Sequence, residues 1–266
     1  MRGVGFYTMS RGAANGVQPP ATRVPTLLLA LIVCAAFTVE SALGFGATVI
    51  TVSLGARVMP VRALLPVFVP LNVALSLWLA ARNRLAVDRA LLGRRVLPLM
   101  LLGMPLGMLL VRRLSEPATR RLLGALVVAL SLAQLAKLRR GGEEPVAAPG
   151  AAAAGLLTAA GVVHGMFGAG GPLAVYVIGR ALPEKGRFRA TLSALWLALN
   201  AVLVLGYALD GALTAKSLEA TALLVPALAV GITAGEWLHG RVPERTFRVG
   251  VYAVLLVVGG ALIARS

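Results

Sequence analysis

The chain contains one apolar unit twice, and this duplication restricts its fold more than any other feature. Two short glycine-rich segments, residues 40–47 and 164–171, interrupt long apolar stretches, and a shift of 124 residues superimposes them so that Glu40 falls on His164. Farther along, a shift of 128 residues makes these pairs: Asn72 with Asn200, Pro98 with Pro226, Gly103 with Gly231, Gly107 with Gly235 and Arg113 with Arg241. The sequence therefore predicts two homologous halves, each broken near its start.

The apolar composition of the chain indicates that both halves lie in a membrane. Hydrophobic residues make up 58% of the sequence, charged residues only 14%, and the mean hydropathy is +0.85. The stretches 63–81, 190–209 and 249–264 carry no charge, and about 20 residues are enough for a helix to cross the hydrocarbon core. Because these runs are apolar on every side, they lack the alternation of a membrane barrel. We predict an all-α, polytopic membrane protein.

The positive charge is spread between the apolar runs. The formal net charge is +16, but the arginines form small groups between hydrophobic segments, where they would contact lipid headgroups. A nucleic-acid-binding protein would gather them on one solvated face, so we expect no nucleic-acid partner. The single cysteine, Cys34, cannot form a disulfide within the chain. We expect neither a metal nor a cofactor.

Hydrophobic segments and the residues between them divide the chain into four regions. We expect a disordered N-terminal tail over residues 1–25, a first membrane repeat over 26–138, a linker over 139–150 and a second repeat over 151–266. Each repeat contains about four hydrophobic segments: 26–57, 63–81, 96–111 and 122–138 in the first, and 151–179, 190–209, 218–238 and 249–264 in the second.

The sequence does not determine the direction of the second repeat relative to the first. If all four segments of each half cross the membrane, the repeats run parallel. If the broken segment enters and returns, three crossings per half make the repeats inverted. When all eight segments cross, lysine and arginine divide almost evenly between the two sides, so the positive-inside rule does not choose an orientation.

The glycine-rich breaks are the candidate binding region. Glycine weakens a helix and proline cannot donate a backbone hydrogen bond, so we expect a helix to stop at each break and to restart after it. Unwound backbone at membrane depth persists only where it is buried in protein or lines a cavity, and the start of a helix attracts anions. We predict that these residues bind substrate: Gly44, Phe45, Gly46, Thr48, Asn72, Gly168, Gly170, Gly171 and Asn200. Helix packing is the alternative role for the glycines.

Amide and small residues in the spanning segments predict contacts between helices. Asn72 and Asn200 occupy matching positions, and an amide in hydrocarbon needs a partner on another helix. Bracing of the unwound backbone is therefore the alternative to substrate contact. Gly103 and Gly231 are each followed by a second glycine four residues later, which predicts close helix packing.

Glu40 and His164 are the ionisable residues deepest in the apolar segments, and they occupy equivalent positions. An ionisable side chain within a membrane segment indicates function. Histidine changes its charge near neutral pH, and a glutamate kept from water can accept a proton. We predict a proton-coupling role for both residues. The alternatives are a glutamate that contacts headgroups and a histidine bonded to a backbone carbonyl.

Duplicated helical units with matching breaks are typical of secondary transporters, in which the breaks mark the binding site. No glycine-rich phosphate loop ending in Lys-Ser or Lys-Thr is present, so ATP is not the direct source of energy. An intramembrane enzyme that uses Glu40 or His164 is a second candidate, but Gly-x-Ser-x-Gly and His-Glu-x-x-His signatures are absent. We expect no enzyme activity. A non-transporting membrane scaffold or assembly protein is the third candidate.

The paired motifs resemble those of the sulfite exporter TauE/SafE family of membrane transporters. Residues 44–47 (Gly-Phe-Gly-Ala) and 168–172 (Gly-Ala-Gly-Gly-Pro), followed by Asn72 and Asn200 in the next segments, carry this resemblance, which covers residues 26–264. It implies a multi-pass protein of the bacterial inner membrane that moves small anions, chiefly sulfur oxyanions and organosulfonates. Its partners would be the small anionic substrate and the lipid bilayer, and a homo-oligomer is left open.

Overall fold

The computed structural model describes residues 23–139, 150–182, 184–239, 241 and 244–264. The predicted N-terminal tail lies outside these residues, except for its last three, which begin the first helix. The predicted linker also lies outside them, except for its two end residues, which belong to the flanking helices. Both regions therefore stay predictions.

All regular structure in the described residues is helical, as the composition predicts. The helices are α1 (Arg23–Leu43), α2 (Ala47–Gly55), α3 (Val61–Arg82), α4 (Arg89–Leu91), α5 (Leu97–Arg113), α6 (Glu116–Arg139), α7 (Gly150–Phe167), α8 (Gly171–Ala181), α9 (Lys185–Leu209), α10 (Ala215–His239) and α11 (Glu244–Ala264). A π-helical turn, Leu92–Val96, joins α4 to α5. Seven helical spans in this part of the chain are long and apolar enough to cross a membrane. The prediction of an all-α polytopic membrane protein is confirmed.

Each glycine-rich break turns the chain by means of glycines in the left-handed conformation. Gly44 and Gly46 have φ angles of 86° and 115° in the first break, and Gly168 has a φ angle of 64° in the second. Glycine adopts such angles without the steric penalty of a Cβ atom. The breaks therefore end α1 and α7 sharply and allow the next helix to start in a new direction.

After each break the chain folds back on the helix that it has just left. Gly170, just before α8, lies against Ala160 of α7, whereas Arg180 near the end of α8 shares a cavity with Ala153 at the start of α7. α8 therefore runs antiparallel to α7. α1 and α2 form the equivalent hairpin, with Gly46 beside Val39. Each broken segment therefore turns back toward the face from which it came. The long helices that follow it are α3, α5 and α6 in the first half and α9, α10 and α11 in the second.

The two halves run through the membrane in opposite directions. We name the two faces after Arg189, at the start of α9, and Asp210, just after its end. α7 starts at the Arg189 face, because α8 returns there before α9 begins. α1 runs parallel to α10, because Gly231 lies against Cys34 and Gly235, four residues later, lies against Thr38. α1 therefore starts at the Asp210 face, as α10 does. Of the two arrangements left open by the sequence, the helix directions in the structure match the inverted one.

Equivalent helices pack in equivalent pairs across this axis. α1 packs on α10 as α7 packs on α5, while α3 packs on α9 and α6 on α11. A Cβ atom at Gly103 would overlap the carbonyl oxygen of Thr158, and Gly231 holds the same position against Cys34. Only glycine lets these helix backbones approach so closely. The predicted packing role of these glycines is confirmed.

Candidate functional site

The two hairpins and the central parts of α3 and α9 surround a small buried pocket. Its volume is about 20 Å³. Its lining residues are Glu40, Phe45, Gly46, Thr48, Val49, Asn72, His164, Gly168, Ala169, Gly171, Trp196 and Asn200. A space of this size holds about one water molecule. A larger ligand therefore requires the walls to move.

A hydrogen-bond network fixes the amide of Asn72 at this pocket. Asn200 Nδ2 donates to Asn72 Oδ1 over 2.9 Å, and Ser76 Oγ donates to the same oxygen over 3.2 Å. Asn72 Nδ2 donates to Glu40 Oε2 over 3.3 Å and to Thr48 Oγ1 over 3.4 Å. Asn72 therefore uses both ends of its amide, whereas the Oδ1 atom of Asn200 is buried without a partner.

Glu40 stabilises the start of α2. Its Oε2 atom accepts a hydrogen bond of 2.8 Å from the N–H of Ala47, the first residue of that helix. A carboxylate in this position satisfies a free N–H group and complements the helix dipole. The side chain is only 4% exposed, so Glu40 does not contact headgroups. None of the ion pairs among the described residues involves it.

His164 occupies the equivalent place in the second half but makes different contacts. Its side chain is 1% exposed, and neither ring nitrogen has a hydrogen-bond partner among the described residues. The ring stacks on Trp196 with centroids 5.9 Å apart, and the indole N–H of Trp196 donates to the Gly44 carbonyl over 3.0 Å. A histidine ring carries at least one N–H group, so His164 offers the pocket an unused donor.

The two helix starts at the pocket differ in charge. α2 begins against the carboxylate of Glu40, whereas α8 begins at Gly171 beside His164 and Asn200, with no carboxylate of its own. The start of α8 therefore favours a small anion, through its free N–H groups and the positive end of the helix dipole. An anion in the same space would be repelled by Glu40 unless that carboxyl carried a proton.

The structure brings most of the sequence-predicted site residues together, but it leaves two glycines outside the pocket. Gly44 contributes only its carbonyl group, which accepts from Trp196. Gly170 packs against α7, where a Cβ atom would overlap the carbonyl oxygen of Ala160. These two glycines shape the hairpins, and the remaining predicted residues line the space between them.

Three residues that line the pocket were not predicted from the sequence: Val49, Ala169 and Trp196. Trp196 lies one helical turn before Asn200, and residues four apart share a helix face. This spacing is the signal that could have indicated it.

Among the described residues, no group of three or more His, Cys, Asp or Glu side chains is placed to hold a metal ion.

A larger cavity, the vestibule, lies next to the pocket at the Asp210 face. Its volume is about 310 Å³, and its lining residues are Arg62, Leu65, Met108, Val111, Arg112, Gly165, Met166, Tyr207, Asp210 and Ala212. Leu65 also lies 3.9 Å from the Cβ position of Gly168, which lines the central pocket. The two spaces are therefore neighbours, separated by the hairpin of the second half and by α3.

The matching position at the Arg189 face is occupied by an ion pair. The internal repeat places Glu236 where Met108 lines the vestibule and Ser41 where Gly165 does. Glu236 pairs with Arg189, and the Ser41 hydroxyl lies 3.3 Å from the Ile232 carbonyl oxygen and 3.5 Å from Glu236 Oε1, both acceptors on α10. The pair therefore ties α9 and α10 to the end of α1.

The family model described as "Sulfite exporter TauE/SafE" matches residues 28–262, a region that contains both glycine-rich breaks and every residue of the pocket. No curated protein and no solved structure matches the chain.

Proposed function

Because this chain belongs to the sulfite exporter TauE/SafE family, we propose that it is a secondary transporter for a small anion. The substrate would be a sulfur oxyanion or an organosulfonate, which crosses the bacterial inner membrane by way of the central pocket. The family and the seven membrane-competent spans support this proposal.

The buried, unpaired groups beside the start of α8 carry the proposal. Buried polar atoms without partners are uncommon because they are costly, yet both ring nitrogens of His164 and Oδ1 of Asn200 are in this state. An oxyanion there would accept hydrogen bonds from the His164 ring and from backbone N–H groups. The Asn200 oxygen would accept from a protonated anion or from a water that accompanies it.

We propose that access to the pocket alternates between the two faces. The vestibule provides the route at the Asp210 face, and movement of the α7–α8 hairpin would join it to the pocket. At the other face, the Arg189–Glu236 pair would have to separate before the α1–α2 hairpin could move. Inverted hairpins that each serve one face fit the rocking motion expected of inverted repeats.

The charge distribution supports a cytoplasmic Arg189 face. The helix ends and loops there contain Arg82, Arg84, Arg89, Arg94, Arg95, Lys137, Arg139, Arg180, Lys185, Arg187, Arg189, Arg241, Arg245 and Arg248. The Asp210 face contains Arg23, Arg57, Arg62, Arg112, Arg113, Arg120, Arg121 and Lys216. Lysine and arginine concentrate on the cytoplasmic side of membrane proteins. The vestibule would then open to the outside, as in a state from which an exported anion leaves.

We also propose that Glu40 and His164 couple anion movement to protons. A protonated Glu40 would remove the negative charge that faces the anion site, so binding of the anion and of the proton would favour each other. A proton that travels with the anion would also change the net charge moved across the membrane.

Anion flux in proteoliposomes tests the proposed function. Purified protein is reconstituted, and the movement of sulfite, thiosulfate, an organosulfonate and a small carboxylate is measured, with a His164→Ala and Asn200→Ala double variant as the control. We expect flux of at least one sulfur anion that the double variant reduces strongly. If folded wild-type protein moves none of them, the scaffold alternative explains the chain better.

A further inference from the structure

A second cavity, away from the transport pocket, lies at the Arg189 face between the π-helical turn and the α7–α8 hairpin. Its volume is about 120 Å³, which is room for several water-sized groups. Its walls include the aliphatic side chains of Leu91, Val96, Leu157 and Ile178 and the two arginines Arg95 and Arg180. No residue of this cavity lines the central pocket or the vestibule.

Neither guanidinium group at this cavity has an acidic partner among the residues that the structure describes. Nε and one Nη atom of Arg180 are buried without a hydrogen-bond partner, and its guanidinium lies 4.0 Å from the ring centroid of Tyr176. Arg95 forms no ion pair with the described acidic residues. Two other basic residues of this face, Arg187 and Arg189, are each paired with an acid. The buried donor atoms of Arg180 carry positive charge and have no partner among the described residues, which favours a bound anion.

The internal repeat shows that the fold does not need these arginines. A shift of 124 residues places Ala56 at the position of Arg180, and a shift of 128 residues places Leu223 at that of Arg95. The same hairpin and the same helix contacts therefore form in the other half without either charge. Among the described residues, the pair formed by Arg95 of the π-helical turn and Arg180 of α8 therefore has no counterpart beside the first hairpin.

We propose that this cavity binds the phosphate group of an anionic phospholipid. Arginine presents several N–H donors in a planar fork that matches phosphate oxygens, and basic pockets between membrane helices recognise anionic headgroups. The aliphatic walls can pack against the start of an acyl chain, whereas a free anion would leave these walls uncovered. The cavity lies at the end of helices whose outer surface is apolar, as at Leu102, which is 71% exposed.

Lipid binding to purified, delipidated full-length protein tests this proposal. Phosphatidylglycerol, phosphatidylcholine with the same acyl chains, and inorganic phosphate are each titrated, and retained lipid is counted by native mass spectrometry. The variants are Arg95→Gln and Arg180→Gln. Arg94→Gln is the matched control, because Arg94 lies on the same π-helical turn but outside the cavity.

We expect wild-type protein and Arg94→Gln to retain phosphatidylglycerol in preference to phosphatidylcholine. Arg95→Gln and Arg180→Gln should each weaken phosphatidylglycerol binding by about fivefold, in line with the contribution of one basic residue at a lipid surface. Arg95 is exposed, so its variant tests the site even if Arg180→Gln fails to fold. Unchanged lipid preference in both variants, or displacement of the lipid by inorganic phosphate at equal concentration, would overturn the proposal. Neither result bears on anion transport.

Discussion

Asn200 donates a hydrogen bond of 2.9 Å to Asn72, its own counterpart in the other half. A bond between two equivalent residues lies close to the axis that relates the halves. Two amides could pair symmetrically by exchanging two N–H···O bonds, but here only Asn200 donates, and its own Oδ1 atom accepts no bond. Asn72, as the acceptor, then turns its own N–H groups toward Glu40 and Thr48. The pair therefore sets different roles for two halves that share one fold.

This asymmetry predicts different effects of the two asparagines on stability. Asn72→Ala removes the partner of Asn200 and a donor to Glu40, whereas Asn200→Ala removes one bond. We expect a loss of about 1–3 kcal/mol for Asn72→Ala and about 1 kcal/mol for Asn200→Ala. Unfolding in detergent, followed by circular dichroism, compares the two. Equal losses would show that the network does not distinguish the halves.

Gly171→Ala should block the pocket without disturbing the packing around it. The added methyl group would lie 3.8 Å from Phe45 and from Trp196, an ordinary contact, but it would project from a residue that lines the pocket. We expect anion flux to fall by about tenfold, which corresponds to about 1.4 kcal/mol. The matched control is Gly155→Ala on α7, whose methyl group meets no atom within 4 Å. Equal flux in the two variants would contradict the proposed route.

Glu40→Gln should flatten the dependence of transport on pH. Glutamine still accepts a hydrogen bond from Ala47, but it stays neutral, like a protonated carboxyl. Wild-type flux should rise as the pH falls on the side from which the anion enters, since protonation admits the anion. The variant should lack this rise, whereas Glu219→Gln, an exposed change on α10, should keep it. Flux is measured against pH with the membrane potential clamped. A wild-type profile in Glu40→Gln would remove this residue from coupling.

Glu236→Gln should open the Arg189 face more often. Loss of a partly exposed ion pair is worth about 1 kcal/mol, or about fivefold in population. A Thr48→Cys probe in a Cys34→Ala background, labelled by an impermeant thiol reagent added at the Arg189 face, reports this opening. Asp88→Asn, which breaks the Arg187 pair on the same face, is the control. Equal labelling of the two variants would argue against a gate at Glu236.

Gly103→Ala should destabilise the contact between α5 and α7. The new methyl group would overlap the carbonyl oxygen of Thr158, and overpacking of this kind costs about 1–3 kcal/mol. Gly93→Ala, in the π-helical turn before α5, meets no atom within 4 Å and should leave the unfolding temperature unchanged. Thermal unfolding in detergent measures both. A stable Gly103→Ala would mean that the two helices can separate freely.

Several features of the site could be predicted because the chain is duplicated. The matching positions of Glu40 and His164, and of Asn72 and Asn200, mark residues that the structure places around one pocket. Apolar runs of spanning length predict the helices. The two halves can be compared with each other, and polar residues at matching positions in both halves stand out as candidate site residues.

The return of each broken segment could not be predicted in the same way. A glycine at which a helix only kinks and a glycine at which the helix ends and the chain turns back look the same in the sequence. The positive φ of Gly168 and the contact of Gly170 with Ala160 decide between them. The exclusion of Gly170 from the pocket follows from that reversal, as it turns this residue toward α7. Such contacts depend on three-dimensional packing, which spacing along the chain does not record.

Three long helices follow the hairpin in each half, and because three is an odd number, the second copy begins at the opposite face and is inverted relative to the first. The end of α6 and the start of α7 lie at the same face, so the connection between them needs no further membrane segment. An added or deleted crossing in the first half would place the second copy in the same orientation as the first. Both hairpins would then enter from the same face, and the central pocket would be accessible from only one compartment.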